Sequence, residues 1–292
     1  MEIKKASKKE AKLRIGLSGA SGFGKTYSAL LMAYGMTGDW SKICVIDTEN
    51  NSASLYSNLG NYNVIDLQAP YNPEKFIEAI KLAENSGMEA LLIDSISHEW
   101  QGSGGCLDIH EQLGGRWQDW AKVTPRHQSF IDAILLSKLH VITCVRRKIE
   151  YSLDTDSNGR TKVTKLGTKE QTREGFEFEL TVNFEIINEN HLAKSSKDRT
   201  GMFSNKPEFV INSSTGKKLI QWSKAVNISK KELQQKVIEA NNMQELTELY
   251  NTYFDISKLI EQDFVEKQKL LNSLTSNITQ NGNGATNNHT KS

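Results

Sequence analysis

Two rhythms of apolar residues alternate along the first half of this chain. Residues 13–18 alternate apolar with small or polar side chains, as a strand does, and residues 27–34 then carry apolar side chains at helical spacing. Residues 42–47, 90–95 and 139–145 are short, nearly unbroken apolar runs, the pattern of strands buried on both faces, and 63–67 is a shorter example. Between them, Asn72 is placed to cap a helix with Pro73 and Glu74 in its first turn and Phe76, Ile77 and Ile80 as its buried stripe. Thr124 and Pro125 supply the same cap and first-position proline for a helix burying Phe130, Ile131, Ile134 and Leu135. Strands and helices in alternation predict an α/β fold with a mostly parallel sheet flanked by helices.

The rhythm changes after residue 145. Residues 146–173 are rich in basic side chains and read as a Gly- and Thr-containing loop, and residues 176–187 then alternate strictly, predicting a half-buried hairpin at the sheet edge. A strand at 207–211 and a short closing element at 216–222 follow. Ser229 to Glu232 forms a capping box, a second cap spans 242–245, and helical spacing continues to Leu274. The expected organisation is a flexible basic N-terminus (1–11), a core (12–226), a helical appendage (227–275) and an Asn/Thr/Gly-rich disordered tail (276–292).

Composition narrows this picture mainly by exclusion. The 292 residues carry a net charge of +1, so any affinity for a polyanion has to come from local patches. Cys44, Cys106 and Cys144 follow no metal-binding spacing, and two lie in predicted buried strands, which suits reduced thiols and suggests neither a zinc site nor disulfides. No apolar run approaches membrane-spanning length, so a soluble, cytoplasmic protein with no membrane partner is expected.

The candidate chemistry centres on Gly19-Ala20-Ser21-Gly22-Phe23-Gly24-Lys25-Thr26, which matches the phosphate-loop pattern G-x-x-x-x-G-K-[ST] and stands between a predicted strand and a predicted helix. The glycines let successive N–H groups point inward around the phosphates of ATP, Lys25 reaches the β- and γ-phosphates, and Thr26 takes a position on Mg²⁺. Asp94 ends an apolar run as a Walker B aspartate does and is the second candidate for holding the metal, with Ser95 and His98 just beyond it. Glu49, just past the run at 42–47, is the candidate base that orients the attacking water. Arg146, at the end of the run at 139–145, is placed to sense the γ-phosphate or stabilise transition-state charge. Trp117, beside Arg116 in a Gly-rich segment with three tryptophans, could stack bases, while Arg147, Lys148 and Lys162 could meet a phosphate backbone.

This order of motifs resembles the RecA-like branch of P-loop ATPases, and more narrowly the compact phage ATP-binding proteins of single-strand-annealing type. The resemblance covers residues 12–224 and rests also on 93–100, 123–127, 173–179 and 196–201. It implies an ATPase stimulated by DNA that oligomerises on single-stranded DNA in annealing or recombination during replication or repair, beside a single-stranded-DNA-binding protein and in the host cytoplasm. It also implies that the strand at 139–145 lies between those carrying the phosphate loop and Asp94. Glu49 becomes the catalytic carboxylate by similarity, and Lys165, Lys169 or Arg173 becomes a residue that reaches the neighbouring subunit's nucleotide. The chain departs from full-length recombinases in showing no separate DNA-binding domain. A competing expectation is an ATP-switched loader or assembly factor that grips a protein partner through its C-terminal helices.

Overall fold

Strand β1 (Arg14–Gly19) is buried at all of its positions, because it lies inside a sheet covered on both faces. It pairs in parallel with β5 (His140–Thr155) on one side and β7 (Val182–Ile186) on the other. Beyond β5 the parallel sheet continues through β4 (Ala90–Asp94), β2 (Ile43–Asp47) and β3 (Asn63–Asp66). Beyond β7 it turns antiparallel, through β8 (Leu192–Asp198) and β9 (Phe209–Val210). The strand order is β3-β2-β4-β5-β1-β7-β8-β9, and β6 (Thr161–Glu170) pairs antiparallel with the distal part of β5. The strand at 139–145 therefore does lie between those of the phosphate loop and Asp94. The computed structural model describes residues 11–155, 161–224 and 228–282, and the α/β class with a mostly parallel sheet is as expected.

Helices α1 (Lys25–Thr37), α2 (Pro73–Asn85), α3 (Ser97–Gln101), α4 (Cys106–Gln112) and α5 (Trp120–Leu136) cover this sheet. Asn72 caps α2 by accepting from the Lys75 amide at 3.0 Å, and α2 meets α5 through Phe76 and Phe130, whose ring centroids lie 5.2 Å apart. Together with Ile80, Ile93, Ile134 and Val141 they form one apolar cluster. The buried guanidinium of Arg14 ties β1 to the end of α5, donating to the carbonyls of Leu135, Ser137 and Leu139. Those acceptors are carbonyls left open at or just beyond a helix C-terminus; burial pushes the Arg14 pKa down to about 10, only partly opposed by Glu84. Helix α6 (Ser213–Lys224) begins against α1 at backbone distance. A Cβ on Gly35 would stand 1.9 Å from the Ser213 carbonyl oxygen, and one on Gly216 2.0 Å from that of Met32.

The described residues form two compact units, one within residues 12–219 and one within residues 220–282. In the second, α7 (Lys230–Glu239), α8 (Met243–Thr252), α9 (Phe254–Ser257) and α10 (Glu261–Gly282) enclose Leu233, Val237, Leu246 and Phe264. Ser229 and Glu232 form the capping box, and Asn242 caps α8 by accepting from the Glu245 amide.

Several expectations are corrected. Residues 176–187 are not an edge hairpin: Phe176–Glu179 is a 3₁₀ turn, and β7 is an interior strand whose Phe184 is fully buried against Phe203 and Phe209. Alternation gives the period of a strand, not its place in the sheet. The basic stretch after residue 145 is not a loop at its start and end but the β5/β6 ribbon. Pro125 lies inside α5 rather than at its first position, since the helix starts earlier, after a 3₁₀ turn (Trp117–Asp119). Residues 216–222 belong to α6, and 276–282 continue α10; residues 1–10 and 283–292 lie outside the described residues.

Candidate active site

The carboxyl ends of β1, β4 and β2 share one edge of the sheet with Arg146, where β5 leaves the parallel pairing, and open α/β folds bind ligands at that edge. At that edge β1 stops at Gly19 and α1 starts at Lys25. The connecting loop turns through Gly22 at φ 82° and Gly24 at φ 86°, the left-handed region that glycine enters without strain. A Cβ on Gly22 would have no neighbour within 4 Å, and the first-turn amides of α1 have no intrahelical acceptors. Loop and helix start together form a concave donor surface suited to phosphate. Lys25 is almost fully buried, and its ammonium donates to the carbonyls of Gly19 at 3.1 Å and Ala20 at 2.9 Å.

Thr26 Oγ1 donates to Asp94 Oδ2 at 2.5 Å, so the hydroxyl after the lysine and the carboxylate ending β4 converge on one point. Burial pushes the Asp94 pKa up to about 6, with nearby Glu49 and Asp47 adding to the rise while the Thr26 hydrogen bond and the Lys25 charge oppose it. A hydroxyl and a buried carboxylate are hard oxygen ligands of the kind Mg²⁺ takes, and a cation there would relieve the cost of holding Asp94 ionised. The residues fit the metal.

Glu49 lies two residues past β2, where the chain leaves the extended conformation through Asn50 and Asn51 at φ 55° and 61°. Asp47 is fully buried and builds this loop, its carboxylate accepting from the Glu49 amide at 2.6 Å and the Ala53 amide at 2.7 Å. The Glu49 carboxylate is held bidentately by Arg146, with Nε 2.7 Å from Oε1 and Nη2 on Oε2, and it accepts from Ser95 Oγ at 3.2 Å. Burial acts to raise its pKa, but Arg146, His98 and Ser95 prevail and hold it below the ordinary glutamate value. His98 stacks on Tyr71 at 4.9 Å and places Nδ1 2.7 Å from Thr48 Oγ1; burial first, then the Arg146 charge, lowers its pKa.

A second concavity, a cavity of about 1130 Å³, is lined by Trp100, Trp117, Trp120, Lys148, Lys169 and Arg173, among others. Trp117 is 89% exposed, while Trp120 is stacked between Trp100 at 5.6 Å and His110 at 4.0 Å. Behind these rings Glu99 is fully buried, accepting from the Cys106 thiol at 3.0 Å and lying 3.0 Å from His127 Nδ1. These three groups lie within 4.8 Å of one another, and their mutual hydrogen bonds satisfy the carboxylate. Gln171 links the cavity to the first site. Its side chain donates to Gln101 Oε1 at 2.8 Å, and its backbone N–H donates to the Arg146 carbonyl at 2.8 Å, which fixes the chain just past β6 against β5.

The remaining sequence candidates fall in three places. Lys169 lines the cavity and pairs with Glu174, and Arg173 lines it too. Arg147, expected at a DNA surface, instead turns to the opposite face of β5, where it is 18% exposed and pairs with Glu170 at 3.3 Å and Glu185 at 3.5 Å. Consecutive strand residues face opposite ways, so Arg146 and Lys148 share a face that Arg147 does not. Lys162 and Lys165 sit on β6 opposite Asp154 and Tyr151, and their side chains lie outside the described residues. Sequence reading missed the Glu99, Cys106 and His127 cluster, whose members lie in three separate helices, and it missed His191, which contacts the phosphate loop from the turn after β7.

A glycine loop between a buried strand and a helix, with its threonine bonded to the aspartate of a parallel strand two places away, defines a P-loop nucleoside triphosphatase core. A family model described as an AAA domain matches residues 11–215, and the chain belongs to that family of P-loop ATPases. No match to a curated protein was found. Among the described residues, no helix is long and apolar enough to cross a membrane.

Proposed function

We propose that this protein hydrolyses ATP with Mg²⁺ while bound to single-stranded DNA, in annealing or recombination of the kind a phage uses in replication. The observation that carries the DNA half of this reading is the cavity whose lining holds Trp100, Trp117 and Trp120 beside Lys148, Lys169 and Arg173, with Trp117 89% exposed. Aromatic faces stack bases of any sequence, and cations beside them take the phosphates. The ATP half rests on the loop from Gly19 to Thr26, with Thr26 and Asp94 as the residues that hold the metal. Bound there with the nucleotide, Mg²⁺ neutralises charge on the phosphate oxygens.

The residues of the chain do the rest. The loop amides cradle the phosphates, and Lys25 exchanges its contacts with Gly19 and Ala20 for phosphate oxygens. Glu49 orients the attacking water and accepts its proton once Arg146 releases it toward the charge developing on the γ-phosphate. On this reading Lys169 and Arg173 contact DNA, and self-association of the protein along the strand brings subunits together.

The test is ATP hydrolysis with and without single-stranded DNA, beside DNA binding at rising salt. Wild-type protein should bind single strands in a salt-sensitive way and hydrolyse ATP faster with DNA. Trp117→Ala, removing one stacking face, should weaken DNA binding by about 10-fold or more. Absence of both salt-sensitive binding and DNA stimulation would sink the proposal. A second reading, a loader that captures a protein partner, draws on the helical unit having its own core and leaving Ile238, Leu259 and Leu270 exposed. Deleting residues 227–292 separates the two: loss of partner capture with DNA binding intact favours the loader.

A further inference from the structure

The turn joining β7 to β8 lies beside the phosphate loop because β7 runs parallel to β1, with Ile186 in register with Gly19. The turn is short and internally bonded. The Ile187 amide donates to the Leu192 carbonyl at 2.9 Å, the His191 amide to the Asn188 carbonyl at 3.1 Å, and the Leu192 amide to Asn188 Oδ1 at 3.1 Å. His191 takes φ 60° within it. This conformation aims the imidazole at the loop, with Nδ1 2.8 Å from the Phe23 carbonyl oxygen. A carbonyl oxygen only accepts, so Nδ1 carries the hydrogen.

The same ring lies over Gly24. A Cβ on Gly24 would stand 2.8 Å from His191 Nδ1 and 3.2 Å from Cε1. Gly24 is therefore needed for its left-handed backbone and also for the room it leaves the imidazole. The peptide joining Phe23 to Gly24 is planar, and in a trans peptide the carbonyl and the following N–H point in opposite directions. Holding the Phe23 oxygen toward His191 consequently turns the Gly24 N–H away from the β7–β8 turn.

We propose that His191 is a positioning residue of the nucleotide site: it fixes the Phe23–Gly24 peptide so that the Gly24 N–H is presented to a bound nucleotide's phosphate. This rests on the phosphate-loop reading and adds to it a residue 168 positions away from Phe23 in sequence. His191 touches the loop and not the reacting atoms, so it acts on the affinity for nucleotide more than on the chemical step.

The experiment measures binding of a fluorescent ATP analogue, with Mg²⁺, to the full-length wild type, His191→Gly and His191→Asn, together with KM and kcat for ATP hydrolysis. Glycine removes ring and donor while tolerating the positive φ. Asparagine can place its amide N–H near the position of Nδ1 and also tolerates that φ. One net hydrogen bond corresponds to about a 3- to 10-fold change in affinity. His191→Gly should weaken binding and raise KM by that factor with kcat nearly unchanged, and His191→Asn should restore most of it. Wild-type affinity in His191→Gly, or an asparagine variant as weak as the glycine variant, would overturn the proposal. Wild-type protein that binds no analogue would overturn the phosphate-loop reading itself, and this inference with it.

Discussion

Replacing Asp94 by asparagine keeps an oxygen for the Thr26 hydroxyl and removes the buried charge. The carboxyl pKa is raised from an ordinary 3.8 to about 6, chiefly by burial. A carboxyl whose pKa is raised on folding destabilises the protein once ionised: the cost is absent below the unfolded value, grows as pH rises from 3.8, and is complete above about 6. The two pKa values are separated by roughly two units, which corresponds to about 3 kcal/mol at neutral pH. Roughly half is already present near pH 5, so between about pH 5 and pH 8 the wild type loses the other half, on the order of 1 to 2 kcal/mol, from this group, whereas the variant loses none. For a unit of this size that is about 3–6 °C in melting temperature. The assay is thermal unfolding of both proteins in chelator across that pH range, repeated with Mg²⁺ and nucleotide. The gap between variant and wild type should widen as pH rises and close or reverse when the metal is added, while ATP turnover by the variant falls to background. A gap that is independent of pH, or a variant less stable than wild type at pH 8, would refute the reasoning.

Other substitutions test the rest of the site and the fold. Glu49→Gln should lower turnover by about 100-fold with nucleotide binding retained, as measured by hydrolysis beside equilibrium binding. Arg146→Ala removes the strongest influence holding the Glu49 carboxyl low and leaves only His98 and Ser95 against burial; the acidic limb of the pH–rate profile should move to higher pH, and kcat should drop. Lys25→Ala should abolish hydrolysis, since its ammonium is the point charge placed among the loop carbonyls. Gly35→Ala would put a methyl 1.9 Å from the Ser213 carbonyl oxygen, forcing α1 and α6 apart at a cost of about 1–3 kcal/mol, visible as a lower melting temperature.

Local rules make the strands and the phosphate loop legible in the sequence. Apolar runs such as 90–94 can only be buried, and a glycine pattern between strand and helix has few other uses. The parts that could not be read are those set by distant pairing. Phe184 alternates with polar neighbours as an edge residue would, yet β8, Phe203 and Phe209 close over it. Pro125 follows a threonine as a first-position proline does, but the 3₁₀ turn from Trp117 had already started the helix. Cys106 has no metal spacing in the sequence, and its partners Glu99 and His127 reach it only because α3, α4 and α5 fold together. His191 carries no local signal, since its role depends on β7 lying next to β1.

The run Arg146, Arg147 and Lys148 shows how strand geometry divides what a sequence presents as one basic cluster. Gly19 is in register with Arg146, so this arginine stands level with the start of the phosphate loop. The pleat then sends Arg146 toward Glu49, Arg147 to Glu170 and Glu185 on the other face, and Lys148 back to the first face at the rim of the aromatic cavity. Two residues of strand span about 7 Å, so the guanidinium on the candidate base and the ammonium in the cavity are carried by one short, continuously bonded segment. Gln171 braces that segment by donating to the Arg146 carbonyl and to Gln101. If DNA in the cavity shifts Lys148, the displacement reaches Arg146 through backbone rather than through flexible side chains, and Arg146 is the group whose position decides whether Glu49 is masked. Gln171→Ala keeps the backbone hydrogen bond to Arg146 and removes the side-chain bond to Gln101, so it should weaken DNA stimulation of hydrolysis by several-fold while leaving the rate without DNA near wild type. Equal loss of basal and stimulated rates would show instead that Gln171 only supports the fold.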